Sequence, residues 1–127
     1  MPTFTMQCNG KIKLHIVVDI HGTQKDLDVL VDTGFTSGTG FGLKLPVNYA
    51  IHAKVTGTGT VNLANNDTVK CDTIPNAKIV QIENHVLDDE VTLPALFMEG
   101  PQYIGMMFLQ GCHLNIDGPK KEAFLDF

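Results

Sequence analysis

The chain reads as one all-β domain, on three observations. Apolar and polar residues alternate through most of its apolar stretches. Gly, Pro, Asn and Asp punctuate those stretches at short intervals. Helical spacing of apolar residues is scarce, apart from one short run that begins at Met106. Alternation with a period of two marks a strand with one face in a core, because successive side chains point to opposite faces of a sheet.

The elements follow in order. KIKLHIVVDI (11–20) puts Ile12, Leu14, Ile16, Val18 and Ile20 on one face. HGTQ (21–24) supplies a turn, and alternation resumes at Leu27, Val29 and Val31, so 11–31 is expected to be a hairpin. GTGFG (38–42) has the glycine density of a nucleotide loop, but such a loop should open a helix. Here LKLP follows, with Pro46 closing it, and nucleotide binding is not inferred. TVNLANNDTVKCDTI suggests a second hairpin, with Val61 and Leu63 before a polar tip and Val69 and Cys71 after it. Asn and Asp tolerate the positive φ that tight hairpin turns demand. NAKIVQIENHVL is read as one further strand, and EVTLPALFM as another that Pro94 should interrupt, since proline cannot donate to a ladder. MMFLQGC (106–112) predicts a helix of about two turns ending before Gly111. HLNID and EAFLDF close the chain as short strands. No linker, repeat or low-complexity segment divides residues 1–127.

Composition narrows the function. A chain of 127 residues with 43% apolar content can bury a real core. Nine basic against fourteen acidic residues give a net charge of -5, and Lys120-Lys121 is only a pair, so nucleic acid is not an expected partner. The opening MPTFTMQCNGK lacks the apolar stretch of a signal peptide, and no later stretch could span a membrane as a helix. A cytoplasmic protein without membrane contact is expected. Cys8, Cys71 and Cys112 are widely spaced and odd in number, which suits reduced thiols better than a disulfide framework. His15, His21, His52, His85 and His113 lack metal-ligand spacing, so neither metal nor cofactor is expected. Asn66-Asp67-Thr68 matches a glycosylation sequon, which carries no weight without a secretion signal.

LVDTG (30–34) is the stretch with chemical content. An apolar strand ends in an acid, a hydroxyl and a glycine. Asp32 could simply close the strand with an Asx turn. It could also be half of a catalytic pair. Two carboxylates in contact can share one proton and act together as base and acid, because like charges in contact cannot both ionise.

VLVDTG, followed well downstream by YIGMMFLQGCHLNID, resembles the retropepsin-like aspartic protease family over roughly residues 11 to 117. The resemblance implies an all-β, closed barrel-like protomer with one short helix. It implies an endopeptidase acting on extended peptides or unfolded protein, with Asp32, Thr33 and Gly34 as the catalytic motif. Thr33 would reach across to the partner loop, and Ile104 and Gly105 would support the catalytic loop from beneath. A hairpin flap would cover the substrate. Its tip is placed at Ala64, Asn65, Asn66 and Asp67, with VTGTGT (55–60) as the rival. The chain contains one Asp-Thr-Gly and no Asp-Ser-Gly, so a complete dyad requires a homodimer with Asp32 of each chain at the two-fold axis. TFTMQC and EAFLDF could interleave between chains as the dimer sheet or close the protomer's own sheet; both readings stay open. Many relatives carry Ala or Ser after the motif. Phe35 offers no hydroxyl there, which suggests activity at mildly acidic to near-neutral pH. The alternative function, from another class, is a peptide-binding module that keeps the fold and cleaves nothing.

Overall fold

The computed structural model describes residues 3–7, 11–35, 40–53, 57–62 and 68–126. Among the described residues ten strands build two sheets. β1 (Thr3–Gln7), β9 (His113–Asp117) and β10 (Glu122–Asp126) form a small sheet in the order β1-β10-β9. β2 (Lys13–Ile20), β3 (Thr23–Val31), β4 (Leu43–Leu45), β5 (Gly57–Asn62), β6 (Thr68–Ile82), β7 (His85–Phe97) and β8 (Tyr103–Ile104) form the large one, in the order β2-β3-β8-β4-β7-β6-β5. An additional β2–β6 pairing closes it into a barrel and leaves β5 as an appendage of β6.

The expected alternation is visible in the burial of β2, where Leu14, Ile16, Val18 and Ile20 are fully buried and the residues between them are not. Leu27 and Val29 do the same on β3. Each such side chain contributes roughly 1.5–3 kcal/mol of burial. The β2–β3 hairpin turns on His21 and Gly22, both at positive φ, as a two-residue hairpin of this hand requires.

Three expectations are corrected. Pro94 does not interrupt β7, which runs unbroken from His85 to Phe97. The β6–β7 register shifts between Ile74 and Ala77, so Pro75 and Asn76 oppose Pro94 in a bulge. A bulge takes its residues out of the regular ladder, so neither proline's missing N–H is needed there. The Pro94 carbonyl instead accepts the Gly42 N–H at 2.8 Å. Second, NAKIVQIENHVL is not one strand. It contains the Glu83-Asn84 turn, with Glu83 at φ 51, and its first part is the end of the 15-residue β6. Third, the helix near residue 106 is a single turn, α2 (Met106–Leu109), because Gln110 already caps it. A 3-10 turn (Val47–Tyr49) and α1 (Ala50–Ala53) add helical structure that the sequence reading did not foresee.

β1 pairs with β10 of the same chain, from Thr3↔Asp126 to Gln7↔Glu122. The terminal strands therefore close the protomer's own sheet, with Met6, Ala123 and Leu125 buried.

Candidate active site

Asp32 follows β3 directly, where the strand is held from both sides. Val31 N–H donates to the Ile12 carbonyl at 2.8 Å. On the other side β8 runs parallel to β3, pairing Leu30 with Tyr103 and Val31 with Ile104. Leu30 N–H donates to Gln102 O at 2.9 Å and Asp32 N–H to Ile104 O at 3.0 Å. The backbone at Asp32 is thus an extension of the β3–β8 ladder.

The turn itself is tight. Phe35 N–H donates back to Asp32 O at 3.1 Å, and Gly34 N–H donates to Asp32 Oδ1 at 2.9 Å. The second bond is an Asx-turn bond, and it also fixes the carboxylate plane. Among the described residues it is the one hydrogen bond to that carboxylate. Asp32 is half-buried, while Thr33 and Gly34 are exposed, so the motif lies at a surface.

Ile104 and Gly105 are buried beneath this turn. Met106 N–H donates to Phe35 O at 2.8 Å, and Gly105 N–H to Gly42 O at 3.2 Å. A side chain at 105 would run into Phe35, so only glycine lets β8 pass this close. The two distant segments named by the sequence reading, 32–34 and 104–105, are therefore in backbone contact. The Phe35 ring lies 6.5 Å from that of Tyr103, tilted by 46°.

β5 and β6 pair antiparallel from Gly57↔Thr73 to Asn62↔Thr68. Ala64, Asn65, Asn66 and Asp67 lie outside the described residues. Of the rival stretch, Gly57 to Thr60 lie inside strand β5. Gly59 has no room for a side chain, because Thr73 Cγ2 and the Phe41 ring would stand 2.9 and 3.1 Å from its Cβ.

Sequence reading missed three residues around this site. Gly42 bridges β7 and Gly105 through its backbone. Tyr103 neighbours both Phe35 and a buried cation. That cation is Lys44, whose ammonium sits 5.1 Å from the Tyr103 ring centre and whose proton affinity is lowered by burial. In LKL, a lysine between two leucines looks like an outward residue of an alternating strand; nothing local marks it as interior.

The fold is shared with a retropepsin-like aspartic protease. A solved structure of a retropepsin-like aspartic protease from Rickettsia conorii matches with a TM-score of 0.62, covering 99% of this chain and 91% of that one, at 19% identity. At that identity the likeness shows a shared fold. No protein-family model matches the chain, and no curated protein matches its sequence. Among the described residues no helix is long and apolar enough to cross a membrane.

Proposed function

We propose that this chain is an aspartic endopeptidase that acts as a homodimer. Asp32 of each chain meets its counterpart at the two-fold axis, and the pair shares one proton. The ionised carboxylate takes a proton from water, and the resulting hydroxide adds to the peptide carbonyl carbon. The protonated carboxylic acid gives its proton to the amide nitrogen, the C–N bond breaks, and the dyad is again singly protonated. Thr33 and Gly34 shape the loop, Ile104 and Gly105 support it, and the β5–β6 hairpin with its tip at Ala64–Asp67 covers an extended peptide bound as an added strand. No cofactor takes part, and the reading places the protein in the cytoplasm.

One observation carries this reading: Asp32-Thr33-Gly34 follows strand β3 and rests on Ile104-Gly105, within a fold shared with a retropepsin-like aspartic protease. The test is incubation with an unfolded protein, with and without a general aspartic protease inhibitor. Inhibitor-sensitive fragments are expected. Peptide binding without fragments would replace the enzyme with a binding module.

A further inference from the structure

Lys44 is only 7% exposed and is the one charged residue in the buried class among the described residues. Its Nζ donates to Glu99 O at 2.9 Å and to Pro101 O at 2.6 Å. The Tyr103 ring centre lies 5.1 Å from the same Nζ. Among the described residues it makes no ion pair. Burying an ammonium without a carboxylate is expensive, and an apolar side chain of similar length would fill the space without that cost.

What an apolar side chain cannot do is hold two carbonyls. Glu99 and Pro101 flank Gly100, which turns at φ 96 and whose Cβ position would be 3.2 Å from Nζ. The ammonium therefore clamps a tight turn from inside. That turn leads straight into Gln102 and Ile104, whose carbonyls accept the N–H groups of Leu30 and Asp32. The backbone of Lys44 holds the same strand, pairing with Tyr103 beside the Leu43↔Ile104 pair. A second route runs through the Tyr103 ring, which neighbours both the ammonium and Phe35, the residue that closes the Asp32 turn.

We infer that Lys44 is a positioning residue for the Asp32 loop, acting through the 99–101 turn and strand β8. The inference deepens the aspartic protease reading and rests on it for its kinetic consequence. The clamp itself can be tested without any activity.

The test compares wild type with Lys44→Met, which keeps the stem and removes the donors, and Lys44→Gln, which keeps one short donor group. Two quantities are read: amide hydrogen exchange at Asp32, Leu30 and Leu125, and kcat and KM on an extended peptide. In Lys44→Met, exchange at Asp32 and Leu30 should quicken by about tenfold or more, with Leu125 in the terminal sheet unchanged. The kcat should fall by roughly 10- to 100-fold with KM nearly constant, since small misplacement of reacting groups costs that much. Lys44→Gln should fall between. If Lys44→Met does not fold, Lys44→Gln decides by the same readouts. Unchanged exchange at Asp32, or equal quickening at Leu125, overturns the inference. A wild type that cleaves nothing removes the protease reading, and the exchange arm still decides the clamp.

Discussion

Gly105 passes so close to Phe35 that a Cβ at position 105 would stand 2.6 Å from the ring carbon Cδ2 and nearer still to the Phe35 carbonyl oxygen. The ring could rotate away. The carbonyl cannot, because it accepts the Met106 N–H and belongs to the turn that starts at Asp32. Gly105→Ala should therefore act as overpacking against backbone, costing about 3 kcal/mol or more. In a domain of this size that lowers the thermal midpoint by roughly 10 °C. A midpoint within about 2 °C of wild type would show that the loop yields freely.

Asp32→Asn separates chemistry from architecture. The asparagine oxygen can still accept the Gly34 N–H, so the turn should persist and stability should stay within about 0.5 kcal/mol. The amide can neither take a proton from water nor share one. Peptidase activity should drop by about 10²–10⁴-fold or more, measured with purified protein on a fluorogenic peptide. Retained activity would remove the aspartic mechanism.

Assembly is tested by dilution. If each chain holds half a site, specific activity should fall as protein concentration passes through the dimer dissociation constant. Ile116 is the residue to change. It is 58% exposed on β9, one of the two outer strands of the terminal sheet, and apolar groups on strand edges invite pairing with another chain. Ile116→Glu should weaken the dimer about tenfold or more by analytical ultracentrifugation. Removing EAFLDF would be a poor substitute, since Ala123 and Leu125 are fully buried and β10 is the middle strand of that sheet. An active monomer would refute the half-site arrangement.

Phe35→Ser would introduce a hydroxyl next to the motif. A donor to a carboxylate favours its ionised form, so the pH–rate profile should move to lower pH. The variant also gives up the Phe35–Tyr103 ring contact, so kcat should be compared at the optimum of each protein. A profile that keeps its position would assign the pH optimum to other groups.

His15 is a second, independent pH signal, on the outer face of the β2–β3 hairpin. Its Nδ1 lies 3.0 Å from Asp28 Oδ1 and its Nε2 3.3 Å from Asp26 Oδ1. Only the protonated ring can donate to both. The Asp28 hydrogen bond is the main cause that raises the His15 pKa above 6.5, with Asp28 charge and then Asp26 adding to it against a desolvation loss. A raised folded-state value means that the stabilisation is fully present below the unfolded value and is lost as pH climbs through the folded one. The ring should titrate above 6.5 by NMR, and Asp28→Asn should lower the value more than Asp26→Asn. The reverse order would place the dominant bond on Asp26.

Local pattern was enough for much of this protein. The alternation in 11–31 announces β2 and β3, and an apolar strand running into Asp32-Thr33-Gly34 announces the candidate site. Ile104-Gly105 was also legible, because an apolar pair before glycine is a sequence feature. Other properties depend on neighbours far along the chain. Pro94 stays within a strand because Pro75 and Asn76 bulge opposite it. β1 pairs with β10 although more than a hundred residues separate them. Lys44 becomes interior because the carbonyls of Glu99 and Pro101 replace water around its ammonium. Alternation reports which face a residue occupies, whereas the cost of burying a charge or a missing N–H depends on the partners that folding brings to it.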